Sequence, residues 1–287
     1  MMVSVCMITY GHERYIKQAI EGVLMQECNF DVELIIADDC SPDSTAAIIT
    51  SIQKNHSNSS WINYSKHTKN KGMMPNFVWA LEQCQGRYIA PCEGDDYWTD
   101  PLKLQKQVDF LEANAEYGIC WTQYKILNNG KLEKPHWVDL IDTKRNFNID
   151  FNNFASPYCT YTLTSMFRSN LLNFDSIKKF KFFKDNSLYA LCLSETKGVL
   201  LNFVGGVYRI HPTGIYSTSS NINQAYSNYF NYKEILKKIP KSRVPNIYNK
   251  YNYWKKTYYK ALNGNKKPSL LKRIKRRLFY LLKKMNN

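Results

Sequence analysis

The chain has 287 residues, of which 44% are hydrophobic, enough to build one large domain or two small ones around a packed core. Aromatic residues make up 14% and charged residues 22%, a composition that excludes disordered, collagen-like, coiled-coil and disulfide-scaffold proteins. The net charge of +15 is unevenly spread: residues 1–230 carry 21 Lys and Arg against 23 Asp and Glu, whereas residues 231–287 carry 18 against 1. The tail therefore predicts an anionic partner of its own.

The cysteines and the apolar runs indicate a compartment. Eight cysteines show no CxxC spacing, so we interpret them as small buried hydrophobes in a reducing cytoplasm. Met1 and Met2 lead directly into an apolar strand with no basic region and no cleavage site, so we expect no secretory signal. No apolar run approaches the 18 residues that a membrane span needs.

The first 120 residues alternate strand-like and helix-like stretches, which predicts a parallel α/β sheet. The predicted strands are 3–9, 32–37, 61–65 and 87–92, and the predicted helices are 13–25, 43–52, 75–85 and 101–113. Further along, the pattern indicates a fifth strand at 119–122, a hairpin at 124–132, a helix at 185–197, one or two strands within 199–210, and helices from about 222.

Three polar segments follow predicted strands, at 9–13, 38–39 and 93–96. Because ligands bind outside the carboxyl ends of parallel strands, we expect these segments to meet at one edge of the sheet. Glu93, Asp95 and Asp96 would repel one another, and a Mg²⁺ or Mn²⁺ ion bound with a diphosphate would relieve that repulsion. The alternatives are a solvated acidic turn at 93–96 and an Asx turn at 38–39. The sequence contains neither Gly-x-Gly-x-x-Gly nor a P-loop that could hold phosphates.

Three motifs in this order carry a family resemblance: VSVCMITYGHERYIKQAIEGVLMQ, VELIIADDCSPDST and GRYIAPCEGDDYWTDPLKLQKQVDFLE. They resemble glycosyltransferase family 2, the inverting enzymes of the GT-A fold, over residues 1–215. The resemblance implies an α/β, Rossmann-like, mostly parallel twisted sheet flanked by helices. We therefore expect a transferase domain at 1–220, with a nucleotide-sugar-binding half at 1–120 and an acceptor-binding half at 121–220, followed by a basic helical extension at 221–287.

The resemblance also implies a donor site. Asp39 would contact the base of the nucleotide, usually uracil, and Asp95 would be a direct metal ligand. The predicted nucleotide-binding residues are Thr9, Tyr10, Glu13, Asp39 and Asp95. The predicted ligands of Mn²⁺ or Mg²⁺ are Asp95, Asp96 and His211. The predicted donor phosphate region comprises Glu93, Asp96 and Arg209.

A weaker match covers the segment FKDNSLYALCLSETKG at 183–198, which resembles the acidic stretch that supplies the general base. Asp185 is the predicted base and Glu195 the alternative. For Asp185 a helix N-cap, and for His211 a packed and hydrogen-bonded imidazole, are the structural alternatives.

The tail places Leu and Ile at spacings of three to four within 266–285, with Lys and Arg between them. This pattern predicts a basic amphipathic helix that lies on an anionic membrane surface. A helix packed within the chain or in a homodimer is the alternative, and the leucine stripe argues against a nucleic-acid partner.

Together these features predict a cytoplasmic, metal-dependent inverting glycosyltransferase, peripheral at the inner face of the cell membrane. It would move a sugar from a nucleotide donor, UDP by family resemblance, to a saccharide or lipid-linked acceptor in surface polysaccharide or glycolipid assembly. The alternatives are a non-catalytic sugar-nucleotide or membrane-surface binding module of the same fold, and a nucleotidyltransferase. The latter would carry a Gly-rich phosphate loop after the first strand, where this chain has Thr-Tyr-Gly-His.

Overall fold

The computed structural model of the chain describes residues 1–214 and 218–262. The predicted amphipathic helix at 266–285 lies outside the described residues. The strands are β1 Val3–Thr9, β2 Val32–Asp38, β3 Ile62–Lys66, β4 Tyr88–Pro91, β5 Tyr97–Trp98, β6 Tyr117–Asn128, β7 Lys131–Glu133, β8 Phe147–Ile149, β9 Met166–Arg168 and β10 Lys197–Ile210. The α-helices are α1 Ile16–Leu24, α2 Thr45–Asn55, α3 Met73–Gln83, α4 Lys103–Ala113, α5 Phe174–Lys178, α6 Asp185–Glu195, α7 Asn221–Lys238 and α8 Pro245–Leu262.

The strands form one mixed sheet in the order β3-β2-β1-β4-β9-β6-β10-β5, in which β7 also pairs with β6 and β8 with β10. Strands β3, β2, β1 and β4 are parallel, and β6 and β10 are parallel to each other. Strand β9 runs antiparallel between β4 and β6. The predicted α/β sheet is confirmed, and the carboxyl ends of β1, β2 and β4 meet at one edge.

Alternate side chains of β1 enter two different cores. Val3, Val5 and Met7 pack in the core that contains α1, whereas Cys6 and Ile8 pack in the core that contains α3. A strand buried on both faces has a nearly continuous apolar sequence, which is why β1 and β2 could be predicted without any alternation. The buried exceptions, Ser4 and Glu33, are hydrogen-bonded to each other.

The second half differs more from the prediction. The fifth strand is longer than predicted, running over the whole of β6, and it turns into β7 through Asn129 and Gly130. These two residues have φ of 48° and 78°, the left-handed pair that a tight hairpin requires, so the predicted hairpin is confirmed. The segment 161–168, for which the sequence predicts a strand or a turn, contains β9. Strands β5 and β8 are not predicted, because segments of two or three residues carry no periodic signal.

The C-terminal helices pack on the sheet domain. Tyr232 and Ile235 of α7 and Ile247 of α8 belong to the same buried cluster as Trp121 of β6 and Tyr189 of α6. The domain boundary at 220 stays a prediction. Within the described residues, none of the helices is both long and apolar enough for a membrane span.

A buried lysine begins α4. Lys103 is 0% exposed, its Nζ lies 3.9 Å from the centroid of the Trp98 ring, and it donates to Gln107 Oε1 at 2.7 Å. Burial lowers the pKa of this ammonium group to about 7. Between pH 7 and the ordinary lysine value, the unfolded chain therefore holds a proton that the folded chain does not.

This difference in bound protons predicts a pH-dependent stability. The free energy of unfolding should rise from pH 7 to pH 10 by about 1.4 kcal/mol per pH unit through Lys103 alone. The Lys103→Met variant should lack this increment. In denaturant titrations, the unfolding free energy of the wild type minus that of the variant should therefore increase with pH. The exposed Lys106→Met is the control, and parallel curves for the wild type and Lys103→Met would refute the assignment.

Candidate active site

A cavity of about 500 Å³ lies at the edge of the sheet where β1, β2 and β4 end. Its walls include eight residues that the sequence placed in a donor site: Thr9, Tyr10, Asp39, Glu93, Asp95, Asp96, Arg209 and His211. Main-chain hydrogen bonds hold the three strand ends together, because Asp39 N donates to Thr9 O and Gly94 N donates to Ile8 O. The predicted meeting of the three polar segments is therefore observed.

Asp95 lies between two imidazoles. Its Oδ2 is 3.0 Å from His211 Nε2 and 3.8 Å from His12 Nε2. Burial opposes ionisation of this carboxyl, but the contact with His211 and the nearby His12 outweigh it and lower its pKa. Each imidazole is held from its other side, His12 by Thr9 Oγ1 at 3.1 Å and His211 by Thr213 Oγ1 at 2.9 Å. Asp95 is thus the carboxylate of the cluster that its surroundings keep negatively charged.

The two neighbouring carboxyls are shifted the other way. Burial and then the Asp95 charge raise the pKa of Glu93 to about 8 and hold the pKa of Asp96 well above its usual range. Asp96 Oδ1 accepts a hydrogen bond from Arg209 N at 2.7 Å, so this side chain joins β10 to the acidic segment. Glu93 Oε2 is buried without a hydrogen-bond partner.

The segment can approach β1 this closely because of one glycine. A Cβ on Gly94 would lie 2.8 Å from Thr9 Oγ1, a distance that would force the acidic segment away from the strand end.

Arg209 is engaged by protein groups on several sides. Its Nε donates to Asp95 O at 2.8 Å and its Nη2 to Gln18 Oε1 at 2.6 Å. The guanidinium also lies 4.9 Å from the Tyr15 ring centroid and 5.0 Å from that of Tyr97. Arg209 therefore holds the backbone of the acidic segment in place.

Asp39 shapes the opposite wall. Its two carboxylate oxygens accept hydrogen bonds from Lys71 N at 2.7 Å and from Gly72 N at 2.8 Å. Gly72 has φ of 90°, a conformation that favours glycine, and it is the N-cap residue of α3. Asn70, Gly72 and Asn76 line the cavity beside Asp39, so the carboxylate fixes the loop that forms this wall.

Glu13 does not join the cluster. Its Oε2 accepts a hydrogen bond from Ser44 N, and its own N donates to Asp43 Oδ2, both at 3.0 Å. Glu13 therefore accepts a hydrogen bond from the main-chain N–H of Ser44, the N-cap residue of α2, a structural contact that the predicted nucleotide contact did not anticipate.

Asp185 is the first residue of α6. Its Oδ2 accepts a hydrogen bond from Tyr158 Oη at 3.1 Å and its Oδ1 from Asn186 N at 2.8 Å. Its charge contributes a small part of the raised pKa of Glu93, and Asp185 is not among the described residues that line the cavity. Glu195 is exposed at the other end of α6, about 15 Å further along the helix axis, so the geometry favours Asp185 over Glu195.

The sequence did not single out several of the cavity residues. His12 belongs to the site because it lies near Asp95, and its spacing of three residues from Thr9 does not reveal that contact. Tyr161 and Tyr208 form an aromatic wall with ring centroids 5.0 Å apart. Tyrosines are frequent throughout this chain, with 21 in all, so the sequence gives no reason to select these two as site residues.

Comparisons with solved structures confirm the fold. Staphylococcus aureus TarS 1–349 superposes with a TM-score of 0.68 at 17% identity, over 95% of this chain and 77% of that one. The mannosyltransferase PcManGT from Pyrobaculum calidifontis, in complex with GDP-Man and Mn²⁺, superposes with a TM-score of 0.65 at 15% identity, over 98% and 79% of the two chains. At these identities the likeness is one of fold, and it agrees with the expected GT-A type.

Comparisons of sequence identify the family. The glucosyltransferase WfaP of Escherichia coli, named UDP-Glc:alpha-D-GlcNAc-diphosphoundecaprenol beta-1,3-glucosyltransferase, is 26% identical over 220 residues, 73% of this chain and 78% of WfaP. An uncharacterised protein of Mycobacterium tuberculosis is 40% identical over 124 residues, 43% of this chain and 35% of its own length, so the chain spans about a third of the mycobacterial relatives it matches. The profile of the family described as Glycosyl transferase family 2 matches residues 4–171. The chain therefore belongs to glycosyltransferase family 2.

Proposed function

We propose that this protein transfers a sugar from a nucleotide-sugar donor to a hydroxyl group of an acceptor, with inversion at the anomeric carbon. The observation that carries the proposal is Asp95, a carboxylate kept charged in a cavity formed by three strand ends. TarS has been crystallised with UDP and with UDP-GlcNAc, and WfaP is named for a UDP-glucose donor. These neighbours support a UDP-sugar as the donor here.

The residues at the cavity fit a divalent cation whose coordination the diphosphate of the donor would complete. No group of three or more His, Cys, Asp and Glu residues within 1–214 and 218–262 is arranged as a metal site on its own. Asp95 and His211 nevertheless present a carboxylate oxygen and an imidazole nitrogen at one point, and sites of this kind use one or two protein ligands plus substrate phosphates. We propose these two residues as the ligands, without Asp96, whose carboxylate is directed to Arg209 N. When bound, Mn²⁺ or Mg²⁺ would stabilise the negative charge on the departing nucleoside diphosphate.

The nucleoside would lie between the acidic segment and the loop held by Asp39. Asn70 on that wall offers its side-chain amide, Tyr10 is 47% exposed at the rim, and Asp39 retains lone pairs after accepting its two main-chain hydrogen bonds. This arrangement supports a contact of Asp39 with the ring N–H of uracil.

Asp185 would act as the general base. A carboxylate on the far side of the sugar removes the proton from the acceptor hydroxyl as its oxygen attacks the anomeric carbon. The hydrogen bonds from Tyr158 Oη and Asn186 N fix the orientation of the Asp185 carboxylate, so that it need not reorganise during the reaction.

This assignment predicts a loss of turnover without a loss of donor binding. Asp185→Asn should lower kcat for transfer by about 10² to 10⁴, the usual contribution of a general base, while UDP binds with unchanged affinity. The measurement is release of nucleoside diphosphate from a panel of UDP- and GDP-sugars in the presence of saccharide and lipid-linked acceptors.

The control variant is Asp175→Asn, which changes an exposed carboxylate in the first turn of the neighbouring helix α5. Near wild-type transfer by Asp185→Asn would overturn the base assignment. A wild-type protein that binds UDP but releases no nucleoside diphosphate from any donor would be the non-catalytic binding module instead.

We further propose that residues 266–287 attach the protein to the anionic cytoplasmic surface of a membrane. The excess of 18 basic residues over 1 acidic residue in 231–287 supports this, since each Lys or Arg near such a surface contributes about 1 kcal/mol. WfaP is named for a lipid-diphosphate acceptor, and an acceptor of that class would lie at the same surface. The eight cysteines are all free thiols, which is typical of a reducing compartment.

Removal of residues 266–287 should abolish flotation of the protein with vesicles that contain anionic phospholipid. The full chain should float with these vesicles at low salt, less so at 0.5 M salt, and not with purely zwitterionic vesicles, because the attraction is electrostatic and is screened. Equal flotation of the full and shortened chains would exclude the tail as the membrane contact.

A further inference from the structure

Helix α7 presents three polar side chains to a single short segment of the chain. Asn228, Asn231 and Glu234 lie three residues apart, which places them along one face of the helix. All three form hydrogen bonds to the segment 181–187, which leads into α6. We call these three residues the polar stripe of α7.

Glu234 holds the main chain before α6. Its Oε2 accepts a hydrogen bond from Phe182 N at 2.7 Å, and its Oε1 accepts one from Lys181 N at 3.2 Å. The Glu234 side chain is only 15% exposed, and its bond to Phe182 N is partly buried. Lys238, one turn further along α7, lies 3.6 Å from the same carboxylate and also donates to Lys179 O. The carboxylate thus fixes two consecutive N–H groups of the segment.

Asn231 ties this segment to the first turn of α6. It is 0% exposed, and its Nδ2 donates to Phe182 O at 2.8 Å and to Ser187 Oγ at 2.6 Å. The first of these contacts lies before Asp185 in the chain and the second lies after it. One amide group therefore fixes both sides of the residue that carries the proposed base.

The third member of the stripe and two rings complete the contact. Lys184 Nζ donates to Asn228 Oδ1 at 2.7 Å, which directs the lysine next to Asp185 towards α7. The Phe182 ring stacks on Phe230 with centroids 5.0 Å apart and an interplanar angle of 24°. Every residue from 181 to 184 except Phe183 is thus joined to α7, and Phe183 is buried in the core.

From these contacts we propose that Asn231 and Glu234, with Asn228, are positioning residues for the Asp185 carboxylate. The inference rests on the proposed role of Asp185 as the base. Buried polar groups are costly unless they are hydrogen-bonded, and here the partners of three such groups are all within seven residues of chain around Asp185. The C-terminal helices would then support the reaction as well as extend the domain.

A change in the stripe should lower turnover and spare donor binding. Glu234→Ala removes both acceptors of the segment, and a displacement of about 1 Å at a reacting group costs about 10²-fold in rate. We expect kcat for transfer to fall by about 10- to 100-fold, with the affinity for UDP and the KM for the donor within twofold of the wild type. The donor residues Asp39 and Asp95 follow other strands, which is why binding should persist.

Two further variants separate positioning from general stability. Glu234→Gln retains one acceptor oxygen and should recover part of the lost kcat, and it also serves if Glu234→Ala folds poorly. Lys237→Ala changes an exposed residue of the same helix and should leave kcat unchanged. A fall in kcat that merely follows the fraction of unfolded protein, measured by thermal unfolding, would overturn the proposal.

The decisive comparison repeats Glu234→Ala in the Asp185→Asn background. If the stripe acts through Asp185, Glu234→Ala should change the residual transfer rate of Asp185→Asn by less than twofold, measured in single turnovers with saturating donor. The same fold loss in both backgrounds would overturn the positioning role alone. Wild-type turnover by Asp185→Asn would overturn the assignment of the base, and the positioning role with it.

Discussion

The structure depends on the placement of three carboxyl groups within four residues at the buried end of β4. Like charges so close together in a water-poor site cannot all ionise without a compensating cation. Here the two imidazoles of His12 and His211 keep Asp95 charged, while burial and the Asp95 charge disfavour ionisation of its neighbours. The cluster therefore carries one fixed negative charge, which is consistent with the proposed binding of a divalent cation together with a diphosphate.

The rest of the fold brings distant residues to this point. Strand β10 runs the length of the second half of the sheet and delivers Arg209 and His211, more than a hundred positions from Asp95, to the end of β4. Asp39 holds the loop that leads into α3 on the opposite wall. Elsewhere in the fold, the polar stripe of α7 holds the segment that carries Asp185. The acidic segment with the end of β10 and the loop held by Asp39 thus line one cavity, and neither could form it alone.

Much of the first half could be predicted from the sequence because it is locally encoded. Strands β1 and β2 are mainly apolar, and the acidic residues at the ends of β2 and β4 lie where the sheet brings them together. What could not be predicted depends on partners far away in the chain. Nothing near Asp96 shows that its carboxylate accepts from Arg209 N, and nothing near Glu13 shows that its carboxylate accepts from Ser44 N. The spacing of Asn228, Asn231 and Glu234 is visible in the sequence, but its partner segment is about fifty residues earlier.

The central claim is that Asp95 binds the donor through a divalent cation, and calorimetry of UDP binding tests it most directly. For the wild-type protein, Mn²⁺ should tighten UDP binding by at least about tenfold, equivalent to 1.4 kcal/mol. Asp95→Ala should lose this dependence, whereas Asp31→Ala, which changes an exposed carboxylate before β2, should retain it. Equal affinity of the wild type for UDP with and without Mn²⁺, or a full Mn²⁺ effect in Asp95→Ala, would contradict the account.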